Sequence, residues 1–188
     1  MDLKSFLCSI YPVQGELIDE LSEHFTWQEL PKNFTILKQG QKCENLWFLV
    51  SGAARYYYMD EKGKERNVWF SIDSDVIADT PSFLFQTPSS CAIQLIEDSE
   101  LIAISKSSID FLLKKHHAFA LWYLRVFENF YVHQIEDRIT DLQFLSATQR
   151  YEKLLAQHPS ISQRISLGHI ASYLNITQET LSRIRAGK

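Results

Sequence analysis

Apolar residues at Leu17, Ile18, Leu21 and Phe25 fall at helical spacing, which predicts a helix over residues 15–25. From Phe34 the period changes. Short β-rich runs follow at Phe34–Leu37, Leu46–Val50, Ala53–Met59, Asn67–Ile72, Ala92–Ile96 and Leu101–Ser105. Gly40, Ser51-Gly52, residues 60–63, Pro81, Pro88 and Glu97-Asp98 punctuate them. Many short strands with frequent turn signals predict a sandwich or barrel rather than an alternating βαβ sheet. Gly52 is placed to supply a positive-φ turn between two strands.

After Ser105 the helical period returns. Ile109, Leu112 and Leu113 mark a short helix ending near His116-His117. A longer helix is predicted over Ala118–Leu145, about 42 Å at 1.5 Å per residue, with no Pro or Gly inside it. Its apolar positions recur every three or four residues, as on a packing seam. Such a helix outruns one small domain, so a second copy of the chain is expected to cover part of its stripe. Leu124, Phe127, Tyr131, Ile135 and Leu142 are the expected dimer interface. The alternative is a stripe buried wholly by the β-rich region. Ser146 reads as a break or N-cap, and Thr148–His158 as another helix ended by Pro159. The expected division is a β-rich unit at 1–117, the long helix at 118–145 and a small helical unit at 146–188.

The last stretch is the most informative. Ser166 is placed to cap a helix over Leu167–Leu174. Asn175-Ile176 makes a short turn, Asn being tolerant of the left-handed conformation. Thr177 can cap a second helix over Gln178–Ala186, and Gly187 stops it. Ala171 is small where the two helices must cross closely. This layout predicts a helix-turn-helix, with Gln178–Ala186 as recognition helix. Its exposed face carries Gln178, Glu179, Thr180, Ser182 and Arg183. Arg pairs with guanine, Glu accepts from the cytosine amine, and Gln pairs with adenine. Thr177, Thr180, Arg185 and Lys188 suit phosphate oxygens. A generic surface helix also bears such residues. Caps, turn, small residue and charge carry the DNA reading only together.

Net charge sharpens the picture once divided. Residues 146–188 hold six cations and two anions, a balance of +4, and the remainder carries −8. A basic tail on an acidic body points to an anionic partner. The longest apolar run, Ala118–Leu124, is seven residues, against the roughly 18 a bilayer span needs. The N-terminus has no secretory pattern, so a cytosolic location without a membrane partner is expected. Cys8, Cys43 and Cys91 are scattered, which fits neither a disulfide framework nor a zinc site. They are one thiolate short of the usual iron–sulfur set. Reduced thiols in the core are the expectation. No phosphate loop, H-E-x-x-H or G-x-S-x-G occurs. His116 and His117, as helix neighbours, do not face one another. No catalytic residue, metal or cofactor is expected.

The run Ser166-Leu-Gly-His-Ile-Ala-Ser-Tyr-Leu-Asn-Ile-Thr-Gln-Glu-Thr-Leu-Ser-Arg-Ile-Arg185 resembles the helix-turn-helix of the Crp/Fnr superfamily of transcription regulators. Leu37-Lys-Gln-Gly-Gln, the stretch from Leu46 to Arg55, and Ile93 to Ser105 resemble that family's cyclic-nucleotide-binding fold. The resemblance implies an α+β chain. It would hold an N-terminal antiparallel β-roll of jelly-roll type, a long central dimerisation helix and a C-terminal helix-turn-helix without a full wing. It places Glu179 and Arg183 on the family's base-reading Glu and Arg, and Gln178 where the family has another Arg. It implies double-stranded DNA with a near-palindromic operator, a second copy of the chain, and RNA polymerase as partners. The family's nucleotide pocket uses Gly-Glu and, eleven residues after the Gly, Arg-Ser or Arg-Thr. Here those positions fall on Ala78-Asp79 and Ser89-Ser90. Losing the phosphate-pairing arginine would cost on the order of several kcal/mol. Strong cyclic AMP binding is therefore not expected, which leaves another effector or none. A sensor or protein-interaction module that keeps the β-roll without binding DNA is the alternative reading.

Overall fold

Two four-stranded antiparallel sheets face each other in the computed structural model, which describes residues 3–10, 15–128 and 140–187. In the first, β1 (Phe25–Leu30), β8 (Ser99–Ser105), β3 (Asn45–Ser51) and β6 (Asp75–Ile77) lie in that order. In the second the order is β2 (Thr35–Leu37), β7 (Ala92–Leu95), β4 (Ala53–Met59) and β5 (Glu65–Ile72). This is the expected β-roll, with two strands the sequence pattern did not reveal. β6 is only three residues long. β1 begins at Phe25, which helical spacing had assigned to the preceding helix; α2 (Gly15–His24) stops one residue earlier. Phe25 instead pairs with Ile104 of β8. Its ring packs 6.2 Å from Phe48 and 6.0 Å from Trp122, and that position requires strand geometry.

Helices cover the outer face of the first sheet. α1 (Leu3–Ile10), α2, α4 (Lys106–Lys115) and α5 (His117–Phe127) bring Leu7, Leu21, Ile109, Leu112 and Trp122 into one core. On β3, Phe48 faces this layer, with Phe6 at 5.3 Å and Trp122 at 5.7 Å. Trp47 and Leu49 take the opposite face. Both faces are buried, so β3 reads as an unbroken apolar run without alternation. Trp122 is fully buried, and its indole N–H donates to the Leu7 carbonyl at 3.0 Å.

The second sheet is also covered on both faces. Ala54, Tyr56, Ile93 and Leu95 point into the roll. Ala53, Phe70 and Ile72 join a separate apolar cluster with Tyr151, Leu154, Ile161, Ile165, Ile170, Leu174 and Leu181. These come from α7 (Ala147–Gln157), α9 (Leu167–Tyr173), α10 (Gln178–Arg185) and the short α8 (Ile161–Arg164) with its flank. The C-terminal helices thus dock on the roll.

Of the predicted long helix, α5 covers the beginning, and residues 140–144, α6, are helical again. Tyr131 and Ile135 lie outside the described residues. Leu124 and Leu142 are exposed by 52% and 49%, so the described part of the stripe is not buried by the roll. Phe127 is half-buried. The chain breaks at Leu145-Ser146, where Ser146 and Gln149 form a reciprocal capping box. Arg150 donates to the carbonyls of Leu145, at 2.8 Å, and Leu174, at 3.0 Å, tying this break to the last helix pair.

Gly52 forms the β3–β4 turn at φ +119°, as the sequence suggested. A Cβ there would sit 2.1 Å from Ser99 Oγ and 2.9 Å from Ser99 Cα. Gly52→Ala should therefore lower unfolding free energy by about 2 kcal/mol or more, from clash and backbone strain together. Urea titration measures it, and an unchanged midpoint would contradict the tight turn.

Candidate nucleic-acid interface

The last two helices are set by local chemistry. Ser166 Oγ accepts from the His169 N–H at 3.3 Å and starts α9. Asn175, at φ 57°, reverses the chain, and the Ile176 N–H donates to the Ala171 carbonyl at 3.0 Å. Thr177 Oγ1 accepts from the Thr180 N–H at 3.2 Å and starts α10. Ile170, Ala171, Leu174 and Leu181 are buried between the helices, and Gly187 follows α10 in the left-handed region at φ 68°. Thr177, Gln178, Glu179, Thr180, Ser182, Arg183 and Arg185 are all exposed. Lys188 lies outside the described residues. Glu179 sits in the first turn. Its own backbone N–H, the Thr177 hydroxyl and Arg183 hold its carboxyl below the ordinary glutamate range. It is an anion at neutral pH, available as an acceptor.

The other side of α9 is occupied. Ser172 Oγ accepts from the Asn67 N–H at 3.0 Å, His169 Nδ1 lies 3.2 Å from Asn67 Nδ2, and the Tyr173 ring packs 5.2 Å from Phe70. These contacts join residues about a hundred positions apart, and no local sequence signal announces them.

The residues at the expected ligand pocket come together, but around themselves. Asp79 caps α3 (Thr80–Phe85), accepting weakly from the Ser82 N–H at 3.5 Å. Ser89 Oγ donates to the Asp79 carboxylate and accepts from the Cys91 N–H at 3.2 Å. Ser82 Oγ accepts from the Cys43 N–H at 2.9 Å. Ala78, Asp79 and Ser89 are buried, whereas Ser90 is exposed. Burial and the Asp79 charge push the Cys91 thiol up to about 12. Burial pushes Cys43 up to about 11. Both thiols stay protonated and fill core space, whereas Cys8 is exposed. The sequence pattern missed α3, although Asp79 followed by Pro81 is a helix-start signal. Two open clefts of about 440 and 450 Å³ lie elsewhere, beside Lys42 and Trp47 and beside Glu29 and Asp98. Among the described residues no cluster of three or more His, Cys, Asp or Glu side chains is arranged to hold a metal.

Residues 27–116 match the cyclic nucleotide-binding domain family. The match falls on the β-roll and the helix that follows it. A Crp/Fnr-family structure from Eubacterium rectale superposes with a TM-score of 0.69 at 19% identity, covering 95% of this chain and 87% of that one. FixK2 from Bradyrhizobium japonicum gives 0.72 at 20% identity, over 87% and 83%. In sequence, the chain is 24% identical to an anaerobic regulatory protein of Pasteurella multocida over 195 aligned positions, 96% of this chain and 69% of the relative. The chain shares the fold of these structures over most of its length.

Within the β-roll, the buried Asp79 side chain lies beside the Ser89 hydroxyl and the Cys91 thiol. Ser89 stands where the resemblance put an arginine.

His169 carries a pH consequence. Burial, then the nearby Arg55 charge, depress its pKa below the ordinary 6.5, while Glu65 opposes them. His158 is depressed likewise, by burial and Arg164 against Asp75. Each ring takes its proton in the unfolded chain at a higher pH than in the folded one. Their contribution is complete above about pH 6.5 and is lost as pH falls through the folded pKa. Stability should therefore fall as pH drops below about 6.5, and His158→Gln/His169→Gln should flatten that slope. Chemical denaturation at several pH values checks this; an identical slope in the double variant would contradict it.

Proposed function

We propose that this chain is a sequence-specific transcription regulator that binds DNA as a homodimer. The observation that carries the reading is the face of α10. Leu181 anchors the helix in the core while Gln178, Glu179, Thr180, Ser182 and Arg183 stand in water on a capped, rigid element. Glu179 and Arg183 are the base readers, accepting from cytosine and pairing with guanine. Thr177, Arg185 and Lys188 hold phosphates. The exposed Leu124 and Leu142, with Phe127, Tyr131 and Ile135, form the dimer seam, so that residues 118–145 join a sensing unit (1–117) to a DNA-binding unit (146–188). Two recognition helices would then enter successive major grooves about 34 Å apart on a near-palindromic site. RNA polymerase is the machinery on which a regulator so placed acts.

Cyclic AMP is not the effector in this reading. Its phosphate would meet the Asp79 carboxylate and the Ser89 hydroxyl with no cation from the pocket positions Ala78, Asp79, Ser89 and Ser90 to pair with it.

Selection of bound fragments from random duplex DNA tests the function. Wild type should enrich a palindrome that Glu179→Ala/Arg183→Ala loses or blurs, and Glu179→Ala alone should cost about 1–3 kcal/mol at the selected site. Equal losses on every sequence would remove Glu179 as a reader. Calorimetric titration with cyclic AMP should give no saturable heat; tight binding would overturn the reading of the pocket.

A further inference from the structure

Arg164, at the end of α8, reaches away from the DNA-reading face toward the β-roll. Its Nη1 donates to Asp73 Oδ2 at 2.5 Å, and its Nη2 to Asp73 Oδ1 at 3.0 Å and to the Gly52 carbonyl at 2.8 Å. Nη2 and Nε also bind the Glu97 carboxylate, Nε at 3.2 Å. The three acceptors lie on three different turns of the roll: β3–β4, β5–β6 and β7–β8. The socket is itself braced, since the Gly52 N–H donates to Asp73 Oδ1 at 2.7 Å and the Asp73 N–H to the Gly52 carbonyl at 3.1 Å. Only a planar fork with several donors can serve three turns at once. Next to it run the Phe70–Tyr173 packing and the bond from Asn67 N–H to Ser172 Oγ.

We infer that Arg164 is a positioning residue for DNA reading, clamping the helix pair to the roll and fixing the direction in which α10 points. The inference rests on the DNA-binding reading above. The docked arrangement leaves the reader side chains exposed, so it presents them rather than hiding them. A reader held in place before DNA arrives has less freedom to lose on binding. A dimer needs both readers aimed at once.

The sign of a charge change separates positioning from plain electrostatics. Asp73→Asn/Glu97→Gln removes two negative charges from the body, which by long-range attraction alone tightens DNA binding. Loss of the clamp weakens it. Arg164→Lys keeps the charge and loses the fork. The experiment measures affinity for the selected site across a salt series, together with hydrogen exchange of the Asn67 amide in the protein without DNA. In both variants the expected result is Kd raised about tenfold, sequence preference and salt slope unchanged, and faster Asn67 exchange. Unchanged or tighter DNA binding, or unchanged exchange at Asn67, overturns the inference. Should the double variant fail to fold, Arg164→Lys leaves the roll intact and decides alone. If wild type enriches no DNA sequence, the DNA reading fails and the positioning role falls with it, while Asn67 exchange separately reports whether Arg164 clamps the pair.

Discussion

A β-sandwich ordinarily turns its outer faces to water, and in this chain neither sheet does so. Phe48 leaves the first sheet to meet Phe6, Phe25 and Trp122, and Phe70 and Ile72 leave the second to meet the C-terminal helices. The rest of the arrangement depends on this double covering. It draws α1, α2 and α5 to one side of the roll. It also places α5, through Trp122, at the base of that side. The opposite side becomes the landing ground on which α9 hides its apolar face while α10 turns its polar face outward. Site and scaffold are therefore parts of one packing solution.

Much of this was legible wherever the signal is local. Six strands announced themselves by composition and turns. The helix-turn-helix was set by Ser166, Asn175 and Thr177, whose caps and left-handed turn act within three or four residues. β1 was hidden because Phe25 continues the spacing of the helix before it, and only the long-range pairing with Ile104 takes it into a strand. α3 was hidden among breakers. The dock was illegible for the same reason: Asn67 meets Ser172 and Asp73 meets Arg164 across 105 and 91 positions. Even the charge count changes meaning. Within the basic tail, Arg164 meets the acidic body of the same chain, and Arg150 is spent on backbone carbonyls.

The residues around Asp79 and Ser89 bond mainly to one another. With serine at position 89, the hydroxyl reaches the Asp79 carboxylate, and the loop closes on Cys91 and Gln41 through Ser89 Oγ and its backbone N–H. The polar groups there are largely satisfied by one another. A charged visitor would have to break these bonds before making its own.

The seam formed by Ala53, Phe70 and Ile72 with Ile161, Ile165 and Ile170 bears on how modular such a protein is. A chain with a strand-rich piece and a helical piece invites the idea that the pieces can be exchanged at a hinge. Here a cut at Leu145-Ser146 would leave each fragment with a raw apolar patch and strand the Arg164 fork without its carboxylates. A chimera that borrows the last helices would have to bring the facing strands β4 and β5 along, together with the three turns that hold the clamp. The natural unit of inheritance in this chain is the interface, and it lies across the line where the sequence would have been divided.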